Sequence, residues 1–149
     1  NFWRLFIQVF PEVKEYLEAE PQTAASRYRD NNTGGNIIFR PVTLLQMIKA
    51  IVYILTEDNT VTIENILNKY CQIDRNVSGN LWDKIIWNSV SKTMLVNNQI
   101  LLKYLFVYIY DSSVLKEKHL KDFYQRYELV KNIDRDSVQE HLNMLINNA

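Results

Sequence analysis

Cysteine is almost missing from this chain of 149 residues. The single thiol, Cys71, excludes an intrachain disulfide and a cysteine-built zinc site, and it points to a reducing compartment. Glycine and proline are scarce too, three of each, which excludes collagenous, linker-rich and many-turned all-β designs. Neither sign of charge is in excess: 17 basic residues face 17 acidic ones, for a formal net charge of +0. A free-standing nucleic-acid binder normally carries a basic surplus to neutralise phosphates, so this balance argues against that class. Long apolar runs are lacking as well. The longest, Ile100 to Tyr110, is interrupted by Lys103 and falls far short of the roughly 20 residues of a membrane-spanning helix. No basic, apolar, small-residue signal segment leads the chain. These absences predict a protein of the cytoplasm with no membrane association.

What is present fits an ordinary globular domain: 47% hydrophobic and 23% charged residues, enough to bury a core. The reading is one helical domain over 1–149. Because Asn1-Phe2-Trp3 lies already inside an amphipathic pattern without a methionine, that domain is expected to be a C-terminal fragment of a longer protein.

Phe2, Leu5, Phe6, Val9, Val13 and Leu17 recur at helical spacing, and Pro11 inside the run predicts either a kink or two short helices. Pro21 closes this segment. Residues 22–36 are the most polar and carry Gly34-Gly35 beside asparagines, which predicts a mobile loop about 22–36. Pro41 suits the first turn of a helix over about 42–56, with Leu44, Leu45, Ile48, Ile51, Val52 and Leu55 as its buried stripe. Thr62 can cap a helix from Ile63 to Cys71. A short helical turn and a small β-hairpin follow around 85–96, where Asn88-Ser89-Val90-Ser91 are poor helix formers. Asn97 or Asn98 caps a helix to Tyr110 that is apolar nearly all round and so belongs at the centre. Two further helices run through Leu115–Val130 and from a capping box, Ser137-x-x-Glu140, to Ile146. The fold class is therefore mainly α, an irregular bundle of six or seven helices with room for one small β-hairpin.

The chemical inventory is thin. His119 and His141 stand alone on their helices, with no H-x-x-x-H or H-E-x-x-H spacing, so no metal site is expected. Neither a nucleophile motif nor a phosphate-cradling glycine loop occurs, and no catalytic residue or cofactor is expected. Nucleic-acid contact has two candidate surfaces. One is a helix-turn-helix-like outline over 62–96 with Arg75, Lys84 and Lys92. The other is the basic segment containing Lys116, Lys121 and Arg126, interspersed with Glu117, Asp122 and Glu128 in the manner of a solvated face. Trp82 and Trp87 read as core anchors, because a recognition element needs outward donors rather than Trp82, Ile85, Ile86 and Trp87.

Two stretches carry a likeness. Gly34-Gly35-Asn36-Ile37-Ile38-Phe39-Arg40-Pro41-Val42 resembles a run in DGQHR-domain proteins that leads into a helix. Leu81-Trp82-Asp83-Lys84-Ile85-Ile86-Trp87-Asn88, followed by Lys92-Thr93-Met94-Leu95-Val96-Asn97-Asn98, is similar to a second pattern of that family. Together they span roughly residues 34–110, and the D-G-Q-H-R sequence itself is not present. The resemblance implies a C-terminal helical region of a protein tied to bacterial DNA modification, phosphorothioation or defence, with Arg40 and Pro41 forming a structural corner.

The resulting expectation is a non-enzymatic accessory or interaction domain, partnered by a missing N-terminal domain and other proteins. The alternatives are a DNA- or RNA-contacting module, and a fragment of an enzyme whose active site lies upstream and to which Arg40 lends an anion contact.

Overall fold

A computed structural model describes residues 1–147. The chain is mainly helical, as the periodicity predicts, and eight α-helices are present among the described residues. The break at Pro11 yields two short helices, α1 (Phe2–Val9) and α2 (Pro11–Glu18). Phe10 between them is extended, and Pro11 occupies the first turn of α2, where its missing N–H costs nothing.

The expected mobile loop is the main correction. Its first half is a helix, α3 (Pro21–Tyr28), which raises the count above six or seven. Pro21 opens this helix instead of closing the one before it, because a proline ring pre-sets the backbone angle of a first helical turn. Tyr28 then anchors α3, its ring 5.8 Å from Tyr16 and 4.5 Å from Phe39. Residues 29–36 remain irregular but are tied down. Asp30 accepts from the backbone of Asn32 and Thr33, and Asn36 N–H donates to the Tyr28 carbonyl at 3.0 Å.

After a 3-10 turn at Ile37–Phe39, α4 (Pro41–Glu57) begins at Pro41 as expected. Its buried face differs from the predicted stripe. Thr43, Gln46, Met47, Ala50, Ile51 and Ile54 are inside, whereas Leu45 is 47% and Val52 60% exposed. Several faces of α4 are apolar, so hydropathy alone does not select one. Packing against α6, the most extensive helix–helix contact among the described residues, decides it, and the small Thr43 and Ala50 are among the residues buried.

The next helix, α5 (Ile63–Cys71), carries its cap as predicted: Thr62 Oγ1 accepts from Asn65 N–H, and the Asn65 side chain reaches back. Turns occupy 72–86, and an antiparallel pair follows, β1 (Trp87–Asn88) with β2 (Thr93–Met94). This is the expected hairpin.

At the centre lies α6 (Gln99–Tyr110), with Leu101, Leu102 and Tyr104 through Ile109 buried. Asn98 stands at its N-cap position without capping. Its side chain donates instead to the Lys84 and Ile85 carbonyls, holding the preceding turn. The last two helices are α7 (Glu117–Lys131) and α8 (Val138–Asn147). Ser137 does not cap α8, since it closes a 3-10 turn, Arg135–Ser137, that runs straight into the helix.

Candidate functional site

The 34–42 and 81–98 stretches meet at Gly34, beside the Trp87 ring. Ile37 N–H donates to the Arg75 carbonyl at 2.9 Å and Val77 N–H to the Gly35 carbonyl at 2.8 Å, so residues 35–37 and 75–77 form a short antiparallel bridge. Gly34 has φ +79°, and a Cβ there would lie 2.4 Å from Val77 Cγ1 and 3.0 Å from the Trp87 ring. Only glycine fits that position. The Arg40 guanidinium closes the corner with Nε and Nη2 on the Gly34 carbonyl at 2.8 and 2.5 Å. Trp82 is fully buried with its indole N–H on the Asp74 carbonyl at 2.8 Å, and Trp87 is 3% exposed. Arg40 and Trp87 thus both lie at Gly34, Pro41 opens α4, and Trp82 is tied to Asp74.

The nucleic-acid candidates are scattered rather than gathered. Arg75 is unavailable: its guanidinium pairs in two-pronged fashion with Glu12 and donates to the Cys71 and Ile73 carbonyls. Burial alone would raise the Glu12 carboxyl, but hydrogen bonds from Arg75 and Asn36 and the Arg75 charge hold it below the usual carboxylate range. Lys92 is exposed at the hairpin turn near Asp30, and Lys84 is exposed on the turn before β1. Lys116 pairs with Glu57 at 3.2 Å, Arg126 with Asp122 at 3.0 Å, and Lys121 is exposed on α7. The segment 62–96 supplies one helix, α5, and no second helix to act as a reading element.

Chemistry that the sequence did not reveal lies elsewhere. Each histidine is paired with a tyrosine on another helix: Tyr53 with His119 Nδ1 and Tyr127 with His141 Nδ1, both at 2.8 Å. Burial lowers both histidines, helped by Lys118, Lys103 and Lys116 around His119 and by Lys131 near His141. In the tautomer where Nδ1 accepts from the tyrosine hydroxyl, the neutral imidazole carries its own proton on Nε2. Around His119 the rings and cations cluster, with Tyr104 stacked at 5.3 Å and Lys103 over the Tyr104 ring at 4.9 Å.

The second cluster surrounds Lys131 at the end of α7. Its side chain is buried, with Nζ donating to the Asn80 carbonyl at 2.9 Å and the Asp83 carbonyl at 2.7 Å. Burial pulls its amine down to about 8, against a favourable pull from Asp83 and an unfavourable one from Lys84. Asp83 Oδ1 is buried without a hydrogen-bond partner. A cavity of about 250 Å³ opens beside them, lined by Asn80, Asp83, Lys84, Lys131, His141 and the apolar Met144 and Leu145.

A larger polar groove of about 430 Å³ runs between α2, α3 and the 73–76 segment and contains Glu12, Glu15, Arg27, Tyr28 and Arg75. Its carboxylates are engaged by Arg75, Asn36, Arg27 and Tyr28, and neither histidine nor Arg40 reaches it. Among the described residues no three His, Cys, Asp or Glu side chains are grouped to hold a metal ion. No described helix is long and apolar enough to cross a membrane. No family model, curated protein or solved structure matches this chain.

Proposed function

We propose that this chain is a non-enzymatic helical accessory domain that docks on other proteins, in a bacterial DNA-modification or defence setting. The observation that carries this reading is the joined corner. Gly34 of the first stretch packs beside Trp87 of the second and beside the intervening Val77, and Arg40 holds the Gly34 carbonyl, which supports a structural role for these residues. The docking surface in this reading is the outer face of α1. Trp3 is 54% exposed there, one helical turn from the exposed Ile7, and braced edge-on by Phe2 at 5.1 Å and Phe6 at 5.8 Å. Tryptophan is among the side chains enriched at the energetic centres of protein interfaces. The test is co-expression with the DNA-modification proteins of the same locus, followed by sedimentation of the purified mixture at about 10 μM, near the affinity of transient interfaces. A complex that the double variant Trp3→Ala/Ile7→Ala weakens about tenfold or more supports the reading. Sedimentation of every component on its own overturns it.

Nucleic-acid contact is the second reading, and one observation favours it: Lys103 lies over the Tyr53 and Tyr104 rings beside His119, with the charges of Lys116 and Lys118 near that histidine. Cations interleaved with aromatic rings suit phosphates and bases. Titration of a labelled duplex and a single strand at about 50 and 200 mM salt tests it, because phosphate-driven binding falls steeply over that range. Binding that ignores salt, or none at the lower salt, removes this reading.

A further inference from the structure

The cavity between α7, α8 and the 80–84 turn has no part in either reading above. We propose that it is a binding site for a small oxyanion, a phosphate or carboxylate group on a compact apolar body, held by Lys131, Lys84 and His141.

The argument begins with donor counting. An ammonium offers three N–H donors. Two of those of Lys131 are accepted at the Asn80 and Asp83 carbonyls, and no described residue accepts the third. Because the side chain is otherwise buried, the cavity it lines is where an acceptor can reach that proton. His141 lines the same cavity, with Nδ1 on the Tyr127 hydroxyl, and in the tautomer that accepts from that hydroxyl its Nε2–H is a second donor. Lys84 supplies a second cation at the rim.

Backbone geometry supports a built site. Lys84 is held at φ +65°, a conformation uncommon for a residue with a side chain, by its N–H on the Trp87 carbonyl at 2.8 Å. Both carbonyls that grip Lys131 belong to this same turn, so the turn and the buried amine fix each other. Met144 and Leu145 add apolar lining suited to a carbon body. The charged and titratable groups facing Lys131 are Asp83, Lys84, His141 and Tyr127. Asp83 is the one anion among them, so an entering oxyanion meets a net positive surface.

The neutral amine needs only two acceptors and is satisfied without a ligand, which agrees with its lowered value near 8. A bound anion favours the charged form, so binding and protonation of Lys131 are coupled. Affinity is highest below pH 8 and declines above it.

The test is a titration of the ¹⁵N-labelled chain with phenyl phosphate and, separately, phenylacetate, with sodium chloride holding ionic strength constant. The two probes distinguish the anion class. Saturable shifts at residues 80–84, 131 and 141–145 with at least one probe are expected, together with a Lys131 titration displaced to higher pH. Lys84→Asn removes the rim charge while tolerating positive φ, and is expected to weaken binding about tenfold. Lys131→Met abolishes it, with circular dichroism confirming the fold; if that variant fails to fold, Lys84→Asn carries the test. Absence of saturation with both probes, or full affinity in Lys84→Asn, overturns the proposal.

Discussion

At the scale of single residues, the side chains that look most reactive in the sequence are bound into the framework. Arg75 is the clearest case. It and Glu12 are 19% and 11% exposed, so each keeps the other from being an uncompensated buried charge. Arg75→Ala is expected to lower the unfolding free energy by about 3 kcal/mol, measured by urea denaturation. The double variant Glu12→Ala/Arg75→Ala should lose less than the sum of the singles. The pair also has a pH signature. Glu12 is lowered in the folded state, so its contribution is complete above the unfolded value, about 4.3, and disappears as pH falls through the folded one. Gly34 gives a second test at this scale. Gly34→Ala combines φ +79° with a 2.4 Å approach to Val77, and a loss of about 2 kcal/mol or more is expected from thermal or urea unfolding.

At the scale of elements, α7 is fastened at both ends by the same device. The Tyr53 hydroxyl accepts from Lys116 N–H at 3.1 Å and donates to His119, tying α4 to the start of α7. Near the other end, Tyr127 donates to His141 and ties α7 to α8. Protonation of either imidazole at Nδ1 removes the acceptor and leaves a tyrosine proton without a partner. Both histidines are lowered by burial, so the folded state holds them neutral while the unfolded chain binds protons near pH 6.5. Their contribution is therefore complete above about pH 6.5 and is lost progressively as pH falls through the folded values. The urea midpoint is expected to drop between pH 7.5 and pH 5.5, and Tyr53→Phe should reduce that drop. An unchanged midpoint would show that these two bonds do not fasten α7.

At the scale of the whole molecule, α6 is the element around which the others are arranged. It packs on α4, α5 and α7, and the Tyr70 hydroxyl donates to the Phe106 carbonyl at 3.0 Å from α5. Phe106 touches both Tyr70 and Trp82, with ring centroids at 5.2 and 5.6 Å. Phe106→Ala should therefore open a cavity shared by α5, α6 and the 80–86 turn, at a cost of about 3–5 kcal/mol. Unfolding followed by tryptophan fluorescence and by circular dichroism should shift together, because one core joins these parts.

Local patterns were enough to place the break at Pro11, the Thr62 cap, the start of α4 at Pro41, the hairpin near 85–96 and the all-round burial of α6. Each follows from neighbours in sequence: a missing N–H, a hydroxyl three residues from an amide, or apolar residues on every face of one helix. Three features were not legible that way. Pro21 is compatible with ending one helix or opening the next, and the helix it opens is anchored through Tyr28 on Tyr16 and Phe39. The inward face of α4 is decided by which of several apolar stripes α6 covers. The cavity at Lys131 joins that residue to carbonyls 48 and 51 positions earlier, and to a histidine on another helix. Sequence spacing encodes contacts along one element, whereas burial of a charge and the convergence of donors depend on which elements close over each other.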